Sequence, residues 1–313
     1  MMKTIKIVVS LSLIGVLMYN VEWESMGAHI ETMSAWAIAV AFFVFTIQFP
    51  ISAWKWQKAL ELHELKQPFV FLQKVLCIGF FFNNFLPSSI GGDAYRVIKT
   101  VPTEGFKSRA VSAVLLERII GLAALLFLGL IGGIITLLYE QIAVVSYYVT
   151  ICLVGGVGFL VFLYLMKKGV FSKFEARIKK IEKLEILTHN LGHIRRNPKP
   201  LLEIIALSLV FQILAIIAIG ALFDALGAGG DYAKYALIVA IVGVAGVLPI
   251  SINGIGLIEG AFALSAIQLG MDYNQAIIVA FMMRILVLPL SLICGAIYLF
   301  DGKREKSAVE TPL

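Results

Sequence analysis

The chain has 313 residues, of which 60% are hydrophobic and 15% charged, with a mean hydropathy of +0.92. That balance excludes an ordinary soluble domain, and several membrane spans of about 20 residues leave little length for a separate soluble enzyme domain. The net charge of +6 sits on basic residues between apolar segments, which reads as membrane topology rather than a nucleic-acid surface.

The first apolar segment, residues 4 to 21, leaves Lys3 and Lys6 on one side and Glu22, Glu24 and Glu31 on the other. It resembles a secretory signal, but no small-residue cleavage pattern follows, so a retained span is expected, with its N-terminus cytoplasmic. A second span, 34 to 54, returns to Lys55, Lys58 and Lys66, with Trp54 and Trp56 suited to the headgroup level. Cys77, Cys152 and Cys294 all fall in apolar runs, without metal-ligand spacing or a disulfide framework. They read as core residues, and neither metal nor cofactor is expected.

Next comes a unit that a simple span would not contain. Residues 68 to 86 are apolar from Val75 onward and run into Pro87, Ser88, Ser89, Ile90, Gly91, Gly92, Asp93 and Arg96, followed by Lys99, Lys107 and Arg109. Basic flanks at both ends predict a re-entrant hairpin from the cytoplasmic side. Non-helical backbone at membrane depth must be buried in protein or line a wet cavity.

Spans at 112 to 139 and 142 to 166 follow; Gly121, Gly129, Gly132 and Gly133 in the first suit close helix packing. Residues 167 to 199 form the one extended polar stretch, strongly basic, with Val170, Phe171, Phe174, Ile178, Ile181 and Leu184 at helical spacing. This predicts an amphipathic cytoplasmic segment on anionic lipid, or a solvated positive loop.

Residues 201 to 223 span outward to Asp224 and Asp231, and a second broken unit occupies 235 to 269 with its break at Pro249 to Gly256. Counting from Pro87 and Pro249, Ser lies at +2, Ile at +3 and Gly at +5 in both breaks. Acidic residues flank the second unit, which predicts entry from the outside. A last span, 276 to 300, returns the C-terminus to the cytoplasm.

Each broken unit is followed by a helix with an intramembrane arginine, Arg118 or Arg284. The breaks are 162 residues apart and the arginines 166, so the repeat extends beyond the motif. The expected fold is an all-α polytopic membrane bundle, a single membrane domain over 1–313. Its two broken or re-entrant units form an inverted repeat with cores at 68–139 and 235–300. Two-span hairpins remain the alternative for each unit.

The arginines follow Arg109 and Asp272 by about 10 residues each, roughly 15 Å of helix, which is half of a hydrocarbon core of about 30 Å. A guanidinium there costs at least about 2.5 kcal/mol unless it meets a partner or water. Arg118 and Arg284 are therefore candidate binding residues, or partners for backbone carbonyls exposed at the breaks. Helices restarting after Gly92 and Gly256 offer N–H groups to an anion. Asn84, Ser88, Ser89, Gly91, Ser251, Asn253 and Gly254 complete the candidate lining, although capping is the commoner use of such serines. Asp93 and Arg96 form an i,i+3 pair that an ordinary surface helix would also carry. Glu117 and Glu259 are expected to pair with Arg118 and Arg284 or to be protonated.

The Leu-Pro-x-x-x-Gly-Gly-Asp-x-x-Arg pattern at Leu86 to Arg96, Glu117-Arg118, the Pro-x-Ser-x-x-Gly-x-Gly-x-x-Glu pattern at Pro249 to Glu259, and Arg284 together resemble the lysylphosphatidylglycerol synthase/flippase transmembrane family. The resemblance covers essentially the whole chain. It implies a domain that moves lipids between leaflets; in two-part members a separate aminoacyltransferase domain makes the lipid. The sequence stops about a dozen residues after its last span, so a stand-alone flippase part without the synthase activity is expected. The reading is a plasma-membrane transporter for an anionic or phosphate-bearing lipid, not an enzyme. Its partners would be membrane lipids, no nucleic acid, another copy of itself, or a separate lipid-modifying enzyme. A membrane transferase and an assembly scaffold are the other readings. Nothing resembles a nucleotide loop or a Ser-His-Asp set, and His29, His63, His189 and His193 lie outside the expected spans.

Overall fold

A computed structural model describes residues 2–19, 21–85, 91–101, 107–167, 198–248 and 250–309. Within them the chain forms eleven α-helices. They are α1 (Met2–Tyr19), α2 (Trp23–Glu31), α3 (Ala35–Leu62), α4 (Phe69–Phe85), α5 (Gly91–Thr100) and α6 (Lys107–Tyr139). Then follow α7 (Ala143–Lys167), α8 (Lys199–Ala225), α9 (Tyr232–Val247), α10 (Leu257–Gln268) and α11 (Tyr273–Val309). Among the described residues, four segments are long and apolar enough to cross a membrane: Ala35–Leu62, Lys107–Tyr139, Lys199–Ala225 and Tyr273–Phe300. The short helix α2 has no counterpart among the expected spans. The basic stretch at 168–197, and the first break at 86–90 with Ser88 and Ser89, lie outside the described residues.

The long helix α6 organises the molecule. Its glycines admit α9 at a distance that side chains would forbid: a β-carbon on Gly129 would lie 2.4 Å from the Ala240 β-carbon, and one on Gly132 would lie 2.4 Å from the Ala233 carbonyl. Further along, Gly243 of α9 meets Leu125. As α9 advances from 233 to 243 its partners fall from 132 to 125, so the two helices are antiparallel. Lys234 and Glu140 close that end with an ion pair at 2.7 Å. Gly121 is different: a β-carbon there would have only the Lys55 ammonium near it, at 3.6 Å.

Helices α4 and α5 form a hairpin whose base lies at the opposite end of α6. Gln67 donates to the Thr100 carbonyl at 3.4 Å, which joins the two ends of the hairpin, and Arg109 at the start of α6 pairs with Glu64 at 2.9 Å. Near the turn, Gly79 and Gly92 bring the two backbones together. A β-carbon on Gly92 would lie 2.1 Å from the Gly79 carbonyl oxygen, so no other residue fits unless the helices part. Helices α9 and α10 form the second hairpin, with the 3-10 turn Ile252–Gly254 between them. Phe223 of α8 stacks on both Tyr235 and Phe262, holding the two arms of that hairpin.

Two apolar cores correspond to the two hairpins. Trp56, Leu60, Leu72, Val75, Ala110 and Ala113 surround the first, and Phe223, Tyr235, Leu237, Phe262 and Val279 the second. Helix α3, which carries Pro50 within it, lies along α8 in the most extensive helix pairing among the described residues. The N-terminal helix is part of the packing: Leu17 is buried with Ala263 and Ile277, and its carbonyl accepts the Tyr273 hydroxyl at 2.6 Å. His63, just beyond α3, is a buried histidine with its Nδ1 on the Ala59 carbonyl at 2.8 Å. Burial, and to a lesser degree the Arg109 charge, pushes its pKa below the usual histidine value, while the Ala59 bond acts the other way.

Candidate functional site

The hairpins start from opposite ends of α6, and the turn of the second meets the end of α4. The Asn253 side-chain amide donates to the Asn84 carbonyl at 3.0 Å. Asn84 is the penultimate residue of α4, so its carbonyl is one of those a helix end leaves without a backbone partner. The second turn thus caps the first hairpin. Asn253 reaches it from a left-handed conformation, φ +52°, which asparagine tolerates better than most residues. Gly254 follows it through the same turn.

Beside this junction lies a run of charges that alternate in sign. Glu117 of α6 is buried and accepts from two cations, Lys55 of α3 at 3.4 Å and Arg96 of α5 at 2.5 Å. Arg96 is buried too, its guanidinium 4.2 Å from the ring centre of Trp56. Its other arm reaches Asp93 at 3.5 Å, and the second oxygen of Asp93 pairs with Arg118. Lys55 additionally lies 5.1 Å from the centre of the Phe211 ring. Each charge is therefore matched by a neighbour of opposite sign, as low-dielectric surroundings require.

Three expectations change here. Glu117 does not pair with its neighbour Arg118, because adjacent helical residues point about 100° apart. Glu117 faces α3 and α5 while Arg118 faces Asp93. Asp93 and Arg96 are no ordinary surface pair, since Arg96 is 8% exposed. Lys55 does not lie in a segment beyond a span's end: α3 continues to Leu62, and Lys55 is buried at 7% exposure as a counter-ion of Glu117.

The second hairpin repeats the theme with fewer parts. Glu259, 2% exposed, pairs through one oxygen with Arg284 of α11 and through the other accepts the Gly256 N–H at 2.8 Å. Glu259 and Arg284 thus form the pair expected from their charges. Gly256 has φ +80°, and a β-carbon there would lie 2.8 Å from the Ser10 carbonyl, so glycine is required twice over. The start of α10 consequently already holds an anion, the Glu259 carboxylate, at the positive end of its dipole. The restart of α5 is similarly engaged: Gly92 N–H donates to the Asn83 side chain at 2.8 Å, and Gly91 is the first helical residue. The helix starts offered as anion sites have these donors occupied from within. Ser251 is buried, and its hydroxyl has no hydrogen-bond partner among the described residues.

What remains open is Arg118. Its side chain is 52% exposed, against 26% for Arg284, and it lies in a groove of about 610 Å³. Asp93 and Arg118 supply the groove's charge, Val97, Ile98, Val111, Val114 and Leu115 its apolar wall, and Gly246 and Val247 bring in the second hairpin. Ile98, Leu115 and Val247 are each more than half exposed, so the groove opens on the surface of the bundle. A charged end and a long apolar wall suit an amphiphile. Among the described residues, no group of three or more His, Cys, Asp or Glu is placed to hold a metal ion.

Lys55 and Asn83 escape a reading of the sequence. A signal for Lys55 exists nonetheless: Lys58 has Glu61 one turn ahead and pairs with it at 3.0 Å, whereas three and four residues after Lys55 stand Lys58 and Ala59. A lysine in an apolar helix without a local acid needs a distant one.

Four long apolar helices among the described residues, with buried ion pairs beside each of the two hairpins, define a multi-pass helical membrane protein. The family description lysylphosphatidylglycerol synthase TM region matches residues 3–295, and the chain belongs to that family. Comparison with curated proteins and with solved structures finds no match.

Proposed function

We propose that the protein is a flippase-like transporter that moves an anionic or phosphate-bearing lipid between leaflets. The observation that carries this reading is the Asp93–Arg118 pair set into an apolar groove open to the bundle surface. A lipid entering sideways would place its phosphate on Arg118 and leave its chains along Val97, Ile98 and Leu115. The meeting of two hairpins based at opposite ends of α6 supports their reading as re-entrant units of an inverted repeat. Rocking of one hairpin against the other would then expose the groove's charged end to each side in turn. The same reading has both termini in the cytoplasm at the plasma membrane, no covalent chemistry, and lipids as substrate and surroundings.

Leaflet exchange of labelled lipids in liposomes holding the purified protein tests this. Anionic, aminoacylated and polyprenyl-phosphate lipids would be compared. Exchange of at least one of them above protein-free liposomes is expected. No exchange of any, with the protein folded, would overturn the reading, and a covalently altered lipid would turn it towards a transferase.

A further inference from the structure

The charge network beside the groove is not neutral. Lys55, Arg96 and Arg118 stand against Glu117 and Asp93, three cations to two carboxylates, all linked. Its ends differ: Lys55 is buried between helices, and Arg118 faces the groove. Glu117 is divided, with one oxygen on Lys55 and the other on Arg96. Arg96 is consequently only half satisfied. Its contact to Asp93 is long, at 3.5 Å, and its Nε–H is buried without a partner among the described residues. An unfilled donor on a buried guanidinium is costly and readily takes a carboxylate.

We propose that Lys55 is a positioning residue for the groove. By occupying one oxygen of Glu117 it leaves Arg96 able to take Asp93 over from Arg118, so that Arg118 is released to a lipid phosphate.

The inference rests on the anionic-lipid reading of the groove and adds how the site opens. An anion reaching Arg118 would otherwise leave Asp93 with only its long contact to Arg96, at 3.5 Å. With Arg96 waiting, Asp93 closes onto it instead, and the excess positive charge is neutralised by the ligand. Without Lys55, Glu117 would be free to engage Arg96 with both oxygens, the pull on Asp93 would weaken, and Asp93 would stay on Arg118 as a competitor. Lys55 acts through three side chains and touches no ligand.

Trp56 supplies a readout, because its ring lies against Arg96. Of the four tryptophans, Trp23, Trp36 and Trp54 would be changed to Phe so that emission reports Trp56 alone. The protein in phosphatidylcholine nanodiscs would be titrated with dioctanoyl phosphatidylglycerol. A saturable emission change is expected, absent in Arg118→Gln. Lys55→Met should raise the half-saturating concentration about fivefold or more, within the usual range of coupling between linked sites. Lys55→Arg should restore it. Lys55→Gln serves as a second neutral variant should Lys55→Met not fold, and thermal unfolding is followed throughout.

A purely structural role would lower thermal stability and signal amplitude while leaving half-saturation unchanged. That result overturns the proposal, as does the absence of a saturable signal in the otherwise wild-type protein. The proposal and the flippase reading can fail separately. Leaflet exchange with no effect of Lys55 on half-saturation sinks the first, and a Lys55-dependent titration without leaflet exchange sinks the second.

Discussion

Glu117→Gln should destabilise the protein by about 3–5 kcal/mol, the usual cost of leaving buried charge unpaired. Two cations lose their shared acceptor at once: Lys55, 7% exposed, and Arg96, 8% exposed. An exposed ion pair would predict less than about 1 kcal/mol for the same change. Thermal unfolding in detergent, with the fraction of monodisperse protein, measures the loss. Combining Glu117→Gln with Lys55→Met removes one of the stranded charges and should recover part of the stability. A Glu117→Gln protein as stable as the wild type would show that water reaches the network.

The two arginines should respond differently to the same substitution. Arg118→Gln is expected to leave folding nearly intact, because the side chain is half exposed and Asp93 retains Arg96, but to abolish lipid exchange. Arg284→Gln strands Glu259, 2% exposed, and so should lower the yield of folded protein as well as activity. Sequence symmetry alone would give the pair equal roles. Folded yield and exchange rate measured on both variants separate the cases. A stable, inactive Arg284→Gln protein beside a stable, active Arg118→Gln protein would move the binding role to the second hairpin.

Much of this arrangement is legible in the amino-acid sequence. Serine and glycine inside an apolar run mark the turn between α9 and α10, because lipid does not tolerate such backbone without partners. Charge flanks indicate hairpins based at opposite ends, and Glu259 with Arg284 reads correctly as a pair. The partners of Glu117 are not legible. Adjacency in sequence suggests Arg118, while the true partners come from α3 and α5, 62 and 21 positions away. Lys55 is hidden by its neighbours, since it follows Trp54 and precedes Trp56 where the apolar run gives way to basic residues, which reads as a span's end. Asn83 and Asn253 are polar residues whose role, capping a facing helix end, depends on a tertiary approach that periodicity does not encode.

The position of α5 bears on how the chain is made. Asp93, Arg96 and Lys99 place three charges in ten residues, each costing about 2.5–3.5 kcal/mol at the centre of a bilayer. Glu117 and Arg118, which compensate the first two, are synthesised later, on α6. When α5 leaves the ribosome, only Lys55 of the network precedes it, and that is a third cation. Nascent chains arrested before residue 117 should therefore leave a cysteine placed at Thr100, 1% exposed in the folded protein, open to water-soluble thiol reagents, and chains extended through α6 should protect it. Protection in the shorter chains would mean that α5 finds other shelter. The charge network of the first hairpin is accordingly expected to close late, only after the helix that follows it has been made.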